Sequence, residues 1–455
     1  MAAAPDADSL PLRAWHFAEG NSRNGFETYF TLLNLTEQPA SVMANYNRDD
    51  GIRLVQWLGI EPRQRLSLNA NEVVGARAFG ASFYSDQNIV VERTTTWGPG
   101  QNAETIVGFA PDGRKGWYFA EGTTRGRATT YFVTQNLTDI PANVTATFTR
   151  DDGSVEKRAY SVPPRARDAY RVNDLMQDTA FSASFRSDQD LVVERTIMTE
   201  GERPPAVKPN REQRNKANGQ TDDSFAMARN AIGVFGGLGY IASGAEPGLR
   251  SWEFAEGSTR APYRLTFVLF NPGNQGTAVR LRFQLEQGET RSHTLSLPAM
   301  SRVAFDPRTV VPAADFATSI SADRPIVAER AYATSGDGLY GVLGHTASPP
   351  RSDSRAWYFA EGNTSSQIET FFVLFNLSTR PTQVRGTYFL EAASAREQHL
   401  TVPAGGRLAV RANEIVPAGV FSARFEADQN IMVERTLYFP GGSGFTTVGS
   451  GVGTP

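Results

Sequence analysis

The stretch Ile368-Glu-Thr-Phe-Phe-Val-Leu-Phe375, closed by Asn376-Leu-Ser, follows Trp357-Tyr-Phe-Ala-Glu-Gly362 after a short gap. It is rich in β-branched and aromatic residues and ends in turn formers, which is the pattern of a strand. The same frame occurs three more times, behind Trp15-His-Phe-Ala-Glu-Gly20, Trp117-Tyr-Phe-Ala-Glu-Gly122 and Trp252-Glu-Phe-Ala-Glu-Gly257, with Phe30, Phe132 and Phe267 in the place of Phe372. Each copy runs on to a Glu-Arg pair: Glu92-Arg93, Glu194-Arg195, Glu329-Arg330 and Glu434-Arg435. The Trp-to-Glu separation is 92−15, 194−117, 329−252 and 434−357, which is 77 every time. Asn34, Asn136, Asn271 and Asn376 lie 19 after the Trp, and Asp86, Asp188, Asp323 and Asp428 lie 71 after it. Four copies without a net insertion over 77 residues are an internal repeat.

Working outward from these markers, the local period is two. Ala81-Ser-Phe-Tyr-Ser-Asp86 alternates and runs directly into Asn88-Ile-Val-Val-Glu-Arg93, Asp49-Asp-Gly51 and Asp151-Asp-Gly153 read as hairpin turns, and Pro62, Pro163, Pro298 and Pro403 precede a further alternating run. Seven or eight short strands per unit of about 100 residues predict an antiparallel β-sandwich rather than βαβ units. The expected fold is all-β, four tandem immunoglobulin-like antiparallel β-sandwich domains. The divisions are an extension over 1–14 and repeats over 15–112, 113–247, 248–352 and 353–455. Each copy closes on an apolar-Gly step, Val107-Gly108, Ile232-Gly233, Leu343-Gly344 and Val448-Gly449. The second copy carries about 23 extra residues before that step, a loop over 201–224 with no aromatic residue and mixed charge.

Composition narrows the chemistry. With 45 Lys+Arg against 48 Asp+Glu, the chain lacks the basic excess of a nucleic-acid partner. It has no cysteine, which removes disulfides and thiolate sites, and its four histidines, His16, His293, His345 and His399, are scattered. No nucleophile elbow, phosphate loop or dinucleotide fingerprint occurs. No catalytic residue, cofactor or metal is expected, and no run is long and apolar enough to suggest a membrane span. The opening Met1-Ala-Ala-Ala-Pro-Asp resembles what remains after removal of an export signal.

The Trp-Tyr-Phe-Ala-Glu-Gly and Val-Glu-Arg strings, with Asn-Leu-Thr or Asn-Pro-Gly between them, resemble the tandem immunoglobulin-like sandwich repeat of exported bacterial proteins, a family of unknown function. The resemblance implies an extracellular, non-catalytic module. The third copy departs most, with Arg308-Thr-Val where the others have Asn71-Glu-Val, Asn173-Asp-Leu and Asn413-Glu-Ile.

The recurring carboxylates Glu19, Glu121, Glu256 and Glu361 admit two readings. Paired with the second Glu they would resemble a glycosidase dyad; paired with Arg93, Arg195, Arg330 and Arg435 they are structural bridges, one within each copy, with bidentate geometry available to Arg. Four identical active sites in tandem are improbable, so the bridge is the expectation. Trp15, Trp117, Trp252 and Trp357 are expected in the cores, and Trp57 and Trp97, which do not recur, are the candidates for exposed contacts. The Asn-x-Thr/Ser matches are read as side-chain-capped turns, and the Asp-Asp-Gly turns lack the further oxygens of a calcium loop. The expected function is a structural or adhesive protein of the bacterial cell surface. It would be a rod or arc reaching on the order of 150 Å, able to self-associate into a filament or layer through equivalent faces. The alternative is a polysaccharide- or cell-wall-binding module acting with a hydrolase, which needs exposed aromatics near polar groups; the discriminating observation is whether Trp57, Trp97 and loop tyrosines cluster on one face.

Overall fold

The first repeat sets the pattern in the computed structural model, which describes residues 12–97, 102–108, 114–126, 128–199, 249–286, 288–336, 339–346, 354–390, 394–439 and 444–453. Its strands are β1 (Ala14–Phe17), β2 (Glu27–Asn34), β3 (Ala40–Arg48), β4 (Arg53–Ile60), β5 (Arg65–Asn69), β6 (Phe79–Ser85), β7 (Ile89–Trp97) and β8 (Asn102–Val107). They form two antiparallel sheets ordered β1-β6-β3-β4 and β5-β2-β7-β8. The architecture is that of an immunoglobulin-like sandwich, while β1 beside β6 and β2 beside β7 follow the repeat's own connectivity.

The same pair of sheets returns in repeats three and four. Repeat four adds a strand, Ser450–Gly453, beside Ser354–Phe359. In repeat two the counterparts of β6 and β7 are one continuous strand, Phe181–Thr199, which carries the chain from one sheet into the other. Apart from single turns such as Asn71–Val74 and Val172–Asp174, the described residues hold no helix, and none is long and apolar enough to cross a membrane. The inserted loop 201–224, the second closing step Ile232-Gly233 and most of the 1–14 extension lie outside the described residues.

The alternation read from the sequence fills the space between the sheets with one aromatic set per repeat. Phe30 of β2 lies 5.1 Å from Phe17 of β1 and 4.8 Å from Phe83 of β6. Phe132 repeats this with Phe119 and Phe185 at 5.0 and 4.8 Å, and Phe372 with Phe359 and Phe425 at 5.0 and 4.7 Å. These tilted and edge contacts suit the ring quadrupoles. Trp15, Trp117, Trp252 and Trp357 are all buried. Three donate their indole N–H across the core, to the carbonyls of Ile89 (2.9 Å), Leu191 (3.0 Å) and Ile431 (2.7 Å); the Trp252 N–H has no such partner among the described residues.

Turn chemistry is equally regular. Asn34, fully buried, donates to the carbonyls of Gln38, Ile60 and Glu61 and accepts from the Thr36 N–H, and Asn136, Asn271 and Asn376 do the same in their copies. The sequon-like strings at Asn34, Asn136 and Asn376 are therefore capped turns, whereas Asn143 lies within the strand Ala142–Arg150 and its amide donates to Asp188. Gly51 and Gly153 close the Asp-Asp-Gly hairpins at φ 80° and 79°, where a side chain would be strained. The turn carboxylates are taken up by arginines, Asp49 by Arg23 and Asp151 by Arg125 and Arg302.

Candidate functional site: the joints between repeats

The Glu-Arg pairs do not close within a copy as the sequence suggested; they interlock neighbouring repeats. Glu and Arg are adjacent on β7, so they point to opposite faces of its sheet. Arg93 turns inward over the ring of Phe17 at 5.5 Å, while Glu92 turns outward toward another repeat. Arg93 reaches its own repeat's Glu19 through the backbone carbonyl, not the carboxylate. The acid it meets is Glu194 of the second repeat, at 2.8 Å, with both side chains fully buried.

That carboxylate is received by the Phe-Ala-Glu-Gly segment. Glu194 accepts the N–H of Ala18 at 3.0 Å and of Glu19 at 3.3 Å in addition to the guanidinium. The Glu19 side chain turns to the second repeat as well and pairs with Arg167 at 2.8 Å. The spacing shared by the four copies thus encodes a socket, with Gly20 required because a Cβ there would lie 2.6 Å from the Phe79 ring.

The unit repeats at every joint. Between repeats two and three, Arg195 meets Glu329 at 2.8 Å and Arg302 meets Glu121 at 2.7 Å. Between three and four, Arg330 meets Glu434 at 2.9 Å and Arg407 meets Glu256 at 2.7 Å. The fourth joint returns to the start. Arg435 meets Glu92 at 2.9 Å, Glu92 accepts the Glu361 N–H at 2.6 Å, and Arg65 meets Glu361 at 3.1 Å. In place of the expected open rod or arc, the four joints therefore form a closed ring. Side-chain geometry overturned that expectation: a carboxylate on a strand that faces away from its own core must find its cation elsewhere.

Packing follows the same circuit. Ala18 belongs to the core of repeat two, Tyr118 and Ala120 to that of repeats three and four, and Ala356, Tyr358 and Ala360 to that of repeat one. The closing strands Leu339–Thr346 and β8 flank Gly444–Val448. The surfaces that meet at the four joints are occupied inside the molecule.

Burial governs the electrostatics. Desolvation pushes Glu92, Glu194 and Glu434 above the ordinary carboxylate range, opposed by Arg435, Arg93 and Arg330 respectively. Three of the four Arg–Glu bonds are made through one nitrogen rather than the bidentate fork, leaving Nε and Nη2 of Arg93, Arg195 and Arg435 without a partner among the described residues; only Arg330 adds a second bond, to Glu434 at 3.3 Å. Arg65, Arg167, Arg302 and Arg407 complete the joints and did not stand out in the sequence. Their signal was available: each lies 50 residues after the repeat Trp.

Trp57 and Trp97 separate. Trp57, 69% exposed, projects from β4 in one sheet, whereas Trp97 is partly buried at the end of β7 in the other, with Phe26 at 6.1 Å. Among the described residues no cluster of three His, Asp or Glu is disposed to hold a metal.

No protein-family model and no curated protein matches the chain. Among solved structures it is similar to Thermotoga maritima 1070 (16% identity over 24% of this chain and 97% of that one, TM-score 0.21). It is also similar to the Anabaena sensory rhodopsin transducer (26% over 19% and 100%, TM-score 0.18) and to a tetra-tandem repeat from the extending region of a large adhesion protein (10% over 92% and 93%, TM-score 0.12). Scores this low carry no argument about function.

Proposed function

We propose that this chain is a non-catalytic structural module of the bacterial cell exterior, a closed ring of four β-sandwiches that acts as a rigid docking or adhesive platform. The observation that carries this reading is the fourth joint, where Arg435 and Glu92, 343 positions apart, are bonded and fully buried. A chain that satisfies its joint surfaces internally is suited to presenting its outward sheets, and less to growing by its ends. The extracellular setting is supported by the motif resemblance alone. For the polysaccharide-binding alternative, Trp57 and Trp97 occupy different sheets and do not together form one aromatic face.

Two measurements test the reading. In small-angle X-ray scattering a compact chain of 455 residues has a radius of gyration of roughly 23 Å, and a ring somewhat more, whereas a rod of about 150 Å would give about 43 Å. Fractionation of the native host then tests the setting: recovery in the cytoplasm alone would refute a role at the cell surface.

A further inference from the structure

The four repeats share their joints but not their free edges. β4 and its counterparts Val155–Val162, Thr290–Leu297 and Arg396–Val402 each end the outward sheet. Three of these edges carry charge, as exposed edges of soluble proteins do: Glu156, Lys157 and Arg158 in the second, Arg291 in the third, Arg396 and Glu397 in the fourth. β4 reads Arg53-Leu-Val-Gln-Trp-Leu-Gly-Ile60, with its one charge at the first residue. Where the other repeats place Ala159, Thr294 and His399 it has Trp57, and where they place Lys157, Ser292 and Glu397 it has Val55. Trp57 is 69% and Val55 56% exposed. The other three edges act as an internal control, since none of them places a large apolar residue at either position.

The hairpin fixes which backbone groups are free. Arg48 N–H bonds the Ile52 carbonyl, and β3 pairs with β4 in the register Asn47↔Arg53 to Ala40↔Ile60. Antiparallel pairing alternates, so Leu54, Gln56 and Leu58 turn their N–H and C=O toward β3, while Arg53, Val55, Trp57 and Gly59 turn theirs outward. The residues with free backbone groups are also those whose side chains are exposed.

We propose that β4 is a self-association edge, pairing antiparallel with β4 of a second copy about a twofold axis at Trp57. This goes beyond the platform reading and holds wherever the protein resides. Charge selects both the occupant and the register. With Trp57 opposite Trp57, Val55 faces Gly59, which has open space above its Cα, and Arg53 faces the exposed Glu61 of the second copy. An apolar centre is thus flanked by two opposite-charge cross-strand pairs, an isologous arrangement in which no like charges meet. Shifting the register by two residues breaks both ion pairs.

The test uses the full chain, of 49.7 kDa. Sedimentation equilibrium is expected to give a dimer of twice that mass, and Trp57→Lys is expected to abolish it without change in the thermal midpoint, whereas Ala159→Lys on the second edge leaves it intact. Arg53→Glu is expected to weaken the dimer and Arg53→Glu with Glu61→Arg to restore it. Because the chain has no cysteine, a Val55→Cys/Gly59→Cys variant offers a direct reading of register. Residues four apart on one strand are roughly 13 Å apart and cannot be bridged, so any disulfide formed on mild oxidation joins two copies. Ser292→Cys/Ser296→Cys, at the matching positions of repeat three, is expected to form none. A wild-type chain that stays monomeric, a dimer that survives Trp57→Lys, or equal cross-linking at the repeat-three edge would each overturn the proposal. So would a β4 edge occupied only by a strand of a different protein.

Discussion

Replacing Arg435 by Met isolates the ring's closing joint. The substitution keeps most of the side-chain volume but removes the cation that faces Glu92 at 2.9 Å, the bond to the Glu361 carbonyl, and the contacts over Phe359 and Phe445 at 5.4 and 5.9 Å. Glu92 is left with the Glu361 N–H for one oxygen, while its Oε1 already has no partner. An uncompensated buried charge of this kind costs about 3–5 kcal/mol. Burial already pushes the Glu92 carboxyl upward, so losing the cation favours protonation further, and the deficit narrows as pH is lowered. Repeats one and four are not consecutive in the chain, so the expected structural response is opening of the ring, read as a larger radius of gyration. Thermal unfolding and scattering of Arg435→Met, Glu92→Met and the double variant complete the cycle. The double variant is expected to recover most of the loss, because replacing both members of a buried pair by apolar groups is near neutral. A single variant within about 0.5 kcal/mol of wild type, or a double variant as damaged as the sum of the singles, would refute the interlock.

Three further outcomes follow from the same geometry. Gly20→Ala forces a Cβ to within 2.6 Å of the Phe79 ring and is expected to lower stability by roughly 1–3 kcal/mol in thermal melts, whereas Gly59→Ala, in open space, is expected to be nearly silent. His16, buried and bonded to Ser82 at 2.9 Å, has its pKa lowered to about 4 by burial and then by Arg165. The unfolded chain therefore binds the extra proton first, and stability is lost as pH falls from 6.5 through 4, by ~2 kcal/mol at pH 5; His16→Gln should remove that component of the pH profile. Glu253 is raised to about 7 by burial, against the bond from Ser319 and the charge of Arg282. Its contribution runs the other way, fully present below about pH 4.5 and lost as pH rises through 7, so Glu253→Gln is expected to stabilise the chain at pH 8 and to have no such effect at pH 4.

The sandwich itself was legible in the chain because each of its causes is local. Alternation sets which side of a strand faces the core, so Phe30 and its counterparts had one place to go. The Asp-Asp-Gly turns carry the glycine that a positive φ requires, and Asn34 caps a turn within four residues of itself. Fourfold recurrence at constant spacing was itself information, and it marked the Trp, Phe-Ala-Glu-Gly and Glu-Arg positions as structural before any contact was known. The candidate site was legible in its members but not in its pairing. Spacing within a copy cannot distinguish an acid that meets its own repeat's arginine from one that meets the neighbour's, because every copy supplies both. Arg65, Arg167, Arg302 and Arg407 were not legible for a different reason: they sit in otherwise variable strands and recur only as a single residue.

The linear sequence determined the strands, the turns, the aromatic core and the number of copies, since these depend on side-chain alternation and short-range hydrogen bonding. The tertiary structure alone decided that the Glu-Arg pairs bridge repeats and that the chain closes on itself. Adjacent residues on a strand face opposite ways, so Arg93 fills its own repeat while Glu92 is obliged to leave it. Whether four such departures extend a line or complete a circle depends on the angle between successive sandwiches, a quantity that no residue carries and that is fixed only when Arg435 reaches Glu92.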